Sequence, residues 1–343
     1  MADPAGRWLT SSSVGRVQAT EEHPGVRADL VLEGGGAKGV ALAGAIAELD
    51  DAGYRFQRVA GTSVGALIGA LLAAGMPPAE LEATARRLDL NDVAPPSRWS
   101  RAGRWPRKLA VLFELGVHDH QPLRRWLTHQ LARYGVRTFD DLRIDDPDSG
   151  LRPERSFRLV VTAADVTRGR FVRLPWDAAD YGIDPGDMLV ADAVAASAAL
   201  PLAFEPVRLR TRDGQQAVLV DGGLLSRFPI DLFDRPDRTP SRWPTVGLKL
   251  SATPTSDGFV VRHPVHGPWS YLNALLSTAV ASWDERHLDD PTIIDRTVFV
   301  DTSDVSTLDF SLAPHVRHDL VDRGRRAARA WLDDRPADRD PSH

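Results

Sequence analysis

Between residues 28 and 75 the chain twice runs a short apolar segment into a glycine-bearing turn and then into an apolar helical pattern. Residues 28–33 (ADLVLE) stop at GGGAKG, and residues 38–52 follow with apolar side chains at helical spacing and acids on the other face. Residues 56–60 (FQRVA) stop at GTSVG, and residues 64–75 (VGALIGALLAAG) continue as a second apolar helix. Short apolar runs without alternation are buried strands, and strand–helix–strand–helix at this spacing requires a parallel sheet with helices on its faces. Residues 157–164, 217–220, 245–250 and 297–300 add further core strands. The fold class expected is therefore α/β with a mainly parallel central sheet.

No internal repeat or low-complexity linker divides the 343 residues, so one domain over 27–331 is expected, with a flexible tail at 1–26 and a polar tail at 332–343. Residues 91–150 are less regular, rich in Trp and Arg, and read as a helical, lid-like insertion. The chain holds no cysteine, which excludes disulfides, zinc–thiolate sites and a cysteine nucleophile. A formal net charge of −5 supplies no basic field for nucleic acid, and no nucleic-acid partner is expected. The polar first 26 residues lack the apolar run of a secretory signal, and the stretch Val64 to Met76 is too short to span a bilayer. A soluble, cytoplasmic protein is expected.

GTSVG at 61–65 places Ser63 in a Gly-x-Ser-x-Gly pattern between a strand and a helix. That context makes a serine nucleophile, because a sharp strand-to-helix turn pushes the hydroxyl out of the sheet. Gly61 and Gly65 allow strand and helix to approach closely, and the helix end at Val64 offers free N–H groups and the positive end of a dipole. The bland reading is a helix cap with packing glycines. The loop Gly34, Gly35, Gly36, Ala37, Lys38, Gly39 also fits G-x-G-x-x-G, the turn of a dinucleotide fold. Against that, the end of the second strand holds Val59-Ala60-Gly61 and the serine, where an acid should meet the ribose. A phosphate P-loop would need Gly-Lys-Ser/Thr, which does not occur. Asp221 follows an apolar strand and precedes Gly222 and Gly223, a common turn in itself, but here a carboxylate able to take the proton of a nearby serine. A histidine triad is the alternative, with His263, His266, His287, His315 and His318 following Asp221.

The ordered set GGGAKG, GTSVG and a late DGG, with AASAALP at 195–201 followed by Phe204 and Pro206, resembles the patatin-like phospholipase family over about residues 28 to 230. The resemblance implies a three-layer α/β/α fold, a Ser–Asp dyad without histidine, and hydrolysis of acyl esters in lipids. Carried onto this chain, it implies Ser63 as nucleophile, Asp221 as base, and the N–H groups of Gly35, Gly36 and Ala37 as the oxyanion hole. Lys38 stands where the family often has arginine; it keeps the charge and loses bidentate hydrogen bonding. No metal or organic cofactor is required, and the expected partner is a phospholipid or other acyl ester.

Residues 98–108 (RWSRAGRWPRK) carry five basic residues, two tryptophans and no acid, and LAVLFELG follows. Cations, tryptophan and aliphatic surface together suit peripheral contact with an anionic membrane through 98–115; the plainer reading is a solvated basic face. Other functions compatible with the motifs are a soluble carboxylesterase or thioesterase with the same dyad, a nucleotide-binding module using the glycine loop, and an inactive scaffold.

Overall fold

In the computed structural model, which describes residues 25–89, 93, 119–144, 152–201, 203–235, 239, 241–253, 290–307, 309 and 311–335, the two strand–turn–helix units lie where the apolar runs put them. Strand β1 (Val26–Leu32) leads through the glycine loop into α1 (Val40–Asp51), and β2 (Tyr54–Thr62) leads through Ser63 into α2 (Val64–Ala73). Helix α3 (Pro78–Arg87) starts on the Pro-Pro pair that ends α2's pattern, because proline at the first helical position gives up an N–H that has no partner there anyway. The remaining elements are α4 (Gln121–Ala132), β3 (Leu159–Asp165), β4 (Arg170–Leu174), α5 (Val190–Ser197), β5 (Val207–Arg210), β6 (Gln216–Asp221), β7 (Thr245–Lys249), α6 (Pro291–Asp295), β8 (Thr297–Phe299) and α7 (Pro314–Asp333).

All eight strands belong to one sheet in the order β5-β6-β3-β2-β1-β7-β8, with β4 also on β3. Strands β3, β2, β1, β7 and β8 are mutually parallel. Strands β4 and β6 run antiparallel to β3, and β5 antiparallel to β6. The β3–β4 and β5–β6 reversals follow from short turns, since a parallel return needs a crossover of a dozen residues or more.

Side chains alternate across the sheet with the period of two that strands impose. Leu30, Leu32, Val59, Leu159 and Val161 join the larger core, with apolar residues of α1, α2, α5 and α7. Val31, Ala60 and Val160 face the other way, onto Phe228, Ile230 and Phe233 after β6 and Ile293 of α6. The result is the three-layer α/β/α arrangement. On the helical side α1 and α7 touch backbone to backbone: a Cβ at Gly44 would stand 1.9 Å from the Val321 carbonyl oxygen, and one at Gly324 2.0 Å from that of Ala41. Arg325 of α7 then ties Glu48 of α1 (2.9 Å) and Glu82 of α3 (2.6 Å) into one cluster. Helix α7 runs to Asp333 and carries order past the expected boundary at 331.

The tail at 1–24 and the segment 98–115 lie outside the described residues, as does most of 91–150; its described part holds α4. Among the described residues no helix is long and apolar enough to cross a membrane.

Candidate active site

Ser63 is the hinge between β2 and α2. Its backbone sits at φ 54° and ψ −123°, and it is the one non-glycine residue with positive φ among the described residues. An L-residue there is strained by about 1–3 kcal/mol, and such strain collects at functional sites. The turn is tight because both flanking glycines are pressed against backbone. A Cβ at Gly61 would lie 2.4 Å from the carbonyl carbon of Gly65, and one at Gly65 2.6 Å from the Leu32 oxygen. Backbone atoms give way poorly, so Gly65→Ala is expected to cost at least about 2 kcal/mol, read as a fall in Tm of about 3 to 4 °C or more for a chain of this size. An unchanged Tm by calorimetry would mean that α2 does not approach β1 this closely.

Asp221 reaches Ser63 by an arrangement of three strands. Strand β2 pairs with β3 up to Thr62 opposite Thr162. Strand β6 pairs with β3 from Leu219 opposite Asp165 to Asp221 opposite Ala163. Strand β4 covers Val161 to Asp165 of β3. Since β4 overlaps both in register, β2 and β6 must share the other edge of β3. They run toward one another along that edge and stop tip to tip, with Thr62 and Asp221 opposite consecutive residues of β3. The residue after Thr62 is Ser63, whose hydroxyl comes near enough to the Asp221 carboxyl to pull its pKa down. Gly222 lets the chain turn away at the junction, where a Cβ would lie 2.7 Å from the Thr162 carbonyl oxygen. The two threonine hydroxyls below the junction, Thr62 and Thr162, are 2.7 Å apart.

Asp221 is 3% exposed. Burial pushes its carboxyl from 3.8 up to about 6, against the opposing pull of the Ser63 hydroxyl, the Gly223 N–H and the Arg227 charge. The Gly223 N–H donates to Oδ1 at 2.8 Å. The Asp221 N–H donates to the Ala199 carbonyl at 2.9 Å. A carboxylate with this environment is a base near neutrality.

The glycine loop lies on the neighbouring strand, because β1 and β2 are parallel and paired, with Leu32 opposite Gly61. Glu33 anchors its start, accepting from Lys249 Nζ at 2.9 Å and from the Leu250 N–H. The Gly34 N–H donates to the Arg227 carbonyl at 3.0 Å. The Ala37 N–H, the third oxyanion donor implied by the resemblance, donates instead to the Thr307 carbonyl at 3.0 Å and is committed there. Gly36 has φ 53°, and a Cβ on it would strike the same Thr307 oxygen at 2.2 Å. The N–H groups of Gly35 and Gly36 carry no hydrogen bond to protein among the described residues. Gly39 packs against Val64, with 2.3 Å left for a Cβ, and so holds the loop to the elbow. Lys38 is half-buried and its ammonium is held below its usual range by burial, with Glu33 opposing and Arg227 reinforcing that shift.

Of the alternative bases, His315 and His318 are exposed on α7, while His263, His266 and His287 lie outside the described residues. Two partners of the site were not assigned from sequence. Thr307 carries no signal, being a backbone acceptor distant in the chain. Ser197 does carry one: it is the single hydroxyl in an otherwise apolar AASAALP run at a helix end, and it accepts the Ser63 N–H at 2.8 Å.

The model of the patatin-like phospholipase family matches residues 30–234, more than half of the chain. This chain belongs to the patatin-like phospholipase family. The match takes in the glycine loop, the elbow and the β6 tip together. The uncharacterized protein YqhO of Bacillus subtilis is 32% identical over 308 residues, which span 89% of this chain and 97% of YqhO. Lysophospholipase nte1 of Aspergillus oryzae is 32% identical over 118 residues, 34% of this chain and 7% of that protein. Among solved structures, VipD from Legionella pneumophila is 18% identical with a TM-score of 0.48, over 90% of this chain and 67% of VipD.

Proposed function

We propose that this patatin-like chain hydrolyses acyl ester bonds in phospholipids or lysophospholipids through an acyl-enzyme on Ser63. The observation that carries the reading is the tip-to-tip meeting of β2 and β6, which brings the hydroxyl of a strained elbow serine onto a buried carboxylate. Asp221 takes the Ser63 proton as Oγ attacks the ester carbonyl carbon. The carbonyl oxygen becomes an oxyanion, stabilised by the N–H groups of Gly35 and Gly36 and by the N-terminal end of α2. The carbon–oxygen bond to the alcohol or lysophospholipid breaks, and Asp221 returns the proton to the leaving oxygen. Water then adds to the acyl-serine with Asp221 as base, and the carbon–Oγ bond breaks to free the fatty acid and Ser63.

A dinucleotide role for the glycine loop is disfavoured, because the Gly34 and Ala37 N–H groups are spent on the carbonyls of Arg227 and Thr307. A nucleotide cradle needs such donors open.

The test is intact-mass analysis after fluorophosphonate treatment, beside fatty-acid release from phosphatidylcholine and phosphatidylglycerol dispersions. One phosphonyl adduct on Ser63 is expected, with fatty-acid release rising above the lipid aggregation point. Hydrolysis of soluble esters alone, with no rise at aggregation, would make the chain a carboxylesterase. A folded protein that takes no label would overturn the serine mechanism.

A further inference from the structure

We propose that the turn from Ser197 to Ala199 is a two-point clamp that sets the spacing of nucleophile and base, with Ser197 as a positioning residue. The proposal rests on the reading of Ser63 and Asp221 as that pair.

Ser63 ends its strand by twisting to positive φ, where its N–H leaves the β2–β3 ladder. That donor needs a new acceptor, since an unpaired buried N–H is costly. The Ser197 hydroxyl oxygen supplies it at 2.8 Å. Two residues later on the same turn, the Ala199 carbonyl accepts the Asp221 N–H at 2.9 Å. One short stretch therefore grips the backbone of each reacting residue by a single hydrogen bond. Both grips are rigid. Ser197 and Ala199 are each 0% exposed, and the turn is closed by Leu200 N–H to Ala198 O at 2.8 Å. Helix α5, which ends in the clamp, is packed on α2, β3 and β6, the elements that carry or flank both residues.

The alanines around Ser197 have a reason in this arrangement. The run VADAVAAS is composed of small or β-branched side chains with one aspartate, and seven of its eight residues, all but Asp192, are buried. Small side chains let α5 sit close enough for a serine, the shortest hydroxyl, to reach the Ser63 amide. A longer side chain at 197 would displace the turn and with it Ala199. The clamp acts on backbone, so it fixes where Ser63 and Asp221 begin and leaves their side chains free for the reaction.

The test compares the full chain with Ser197→Ala, Ser197→Cys and Ser197→Thr, using p-nitrophenyl butyrate for kcat and KM and the rate of fluorophosphonate labelling of Ser63. In Ser197→Ala the Ser63 amide loses its acceptor, and kcat and labelling rate are expected to fall together by roughly 10- to 100-fold, since misplacement of about 1 Å costs that much. KM and Tm should change little, which separates lost positioning from a loosened fold. Threonine retains the hydroxyl but adds a methyl to a fully buried site, and should restore part of the rate; cysteine, slightly larger than serine and a weaker acceptor, should fall between alanine and wild type. Wild-type kcat in a folded Ser197→Ala would overturn the clamp. If that variant does not fold, Ser197→Cys decides, and wild-type kcat there would overturn it equally. A wild type that turns over without labelling at Ser63 would overturn the underlying pair instead, whatever the Ser197 variants do.

Discussion

Ser63→Gly is expected to abolish ester hydrolysis while raising the stability of the protein. The first effect follows from the chemistry: without Oγ there is no acyl-enzyme, and loss of a nucleophile that acts as a unit with its base lowers kcat by roughly ten-thousand-fold or more. The second follows from the backbone. Ser63 holds φ 54° and ψ −123°, a region open to glycine and strained for any other residue, so the substitution releases about 1–3 kcal/mol. Added freedom of glycine in the unfolded chain offsets about 0.5–1 kcal/mol of that. The net gain is about 1 kcal/mol, a rise in Tm of about 2 °C for a chain of this size. Ser63→Ala is the control, since it removes the same oxygen and keeps the Cβ. It should be as inactive as the glycine variant with no rise in Tm. Calorimetry with a chromogenic ester assay reads both. Residual turnover in either variant would point to another nucleophile, and a glycine variant less stable than wild type would mean the elbow is not strained.

What was legible in the sequence is what local order dictates. The pairs β1–α1 and β2–α2 each complete a strand, a glycine turn and a helix within about one βαβ unit, so the apolar runs and glycines of residues 28–75 carry them entire. Ser63 and Asp221 were likewise legible, as polar residues placed at the tips of apolar strands. The meeting of those tips was not. It depends on β6 running antiparallel to β3 on the edge that β2 vacates after Thr62, and no pattern inside AVLVDGG encodes direction. Strands β4 and β5 were missed because RFVRL and VRLR each carry two arginines in four or five residues, and short edge strands of that composition read as polar loops. The acceptors that spend the Ala37 and Ser63 amides, Thr307 O and Ser197 Oγ, come from elements far along the chain. Which N–H groups of a glycine loop stay open is decided by such distant neighbours, and the third oxyanion donor was lost for that reason.

Asp221→Asn should remove activity and stabilise the protein at the same time, and pH separates the two effects. An amide cannot take the Ser63 proton, so kcat is expected to fall by roughly a thousand-fold or more. In wild type the base works only when ionised. With its carboxyl raised to about 6, kcat/KM should rise through an acid limb centred near that value, well above the ordinary carboxylate range. Stability runs the other way. Burial raises the folded carboxyl above its value of 3.8 in the unfolded chain, so the folded state favours the proton. Below 3.8 both states are protonated and the site costs nothing electrostatically. As pH climbs to about 6 the unfolded chain ionises first, and the folded state loses stability until its own carboxyl ionises. Above that the accumulated cost levels off at about 3 kcal/mol, an upper bound set by the size of the shift. Asparagine never ionises, so Asp221→Asn should match wild type in Tm near pH 3.5 and exceed it at pH 8. Equal Tm differences at both pH values would show that Asp221 is not desolvated, and full activity in Asp221→Asn would return the role of base to a histidine. If instead the acid limb is centred near 6 and the stability difference, growing from pH 3.8, levels off at that same pH, one ionisation accounts for both, and the buried carboxylate that weakens the fold is the group that activates Ser63.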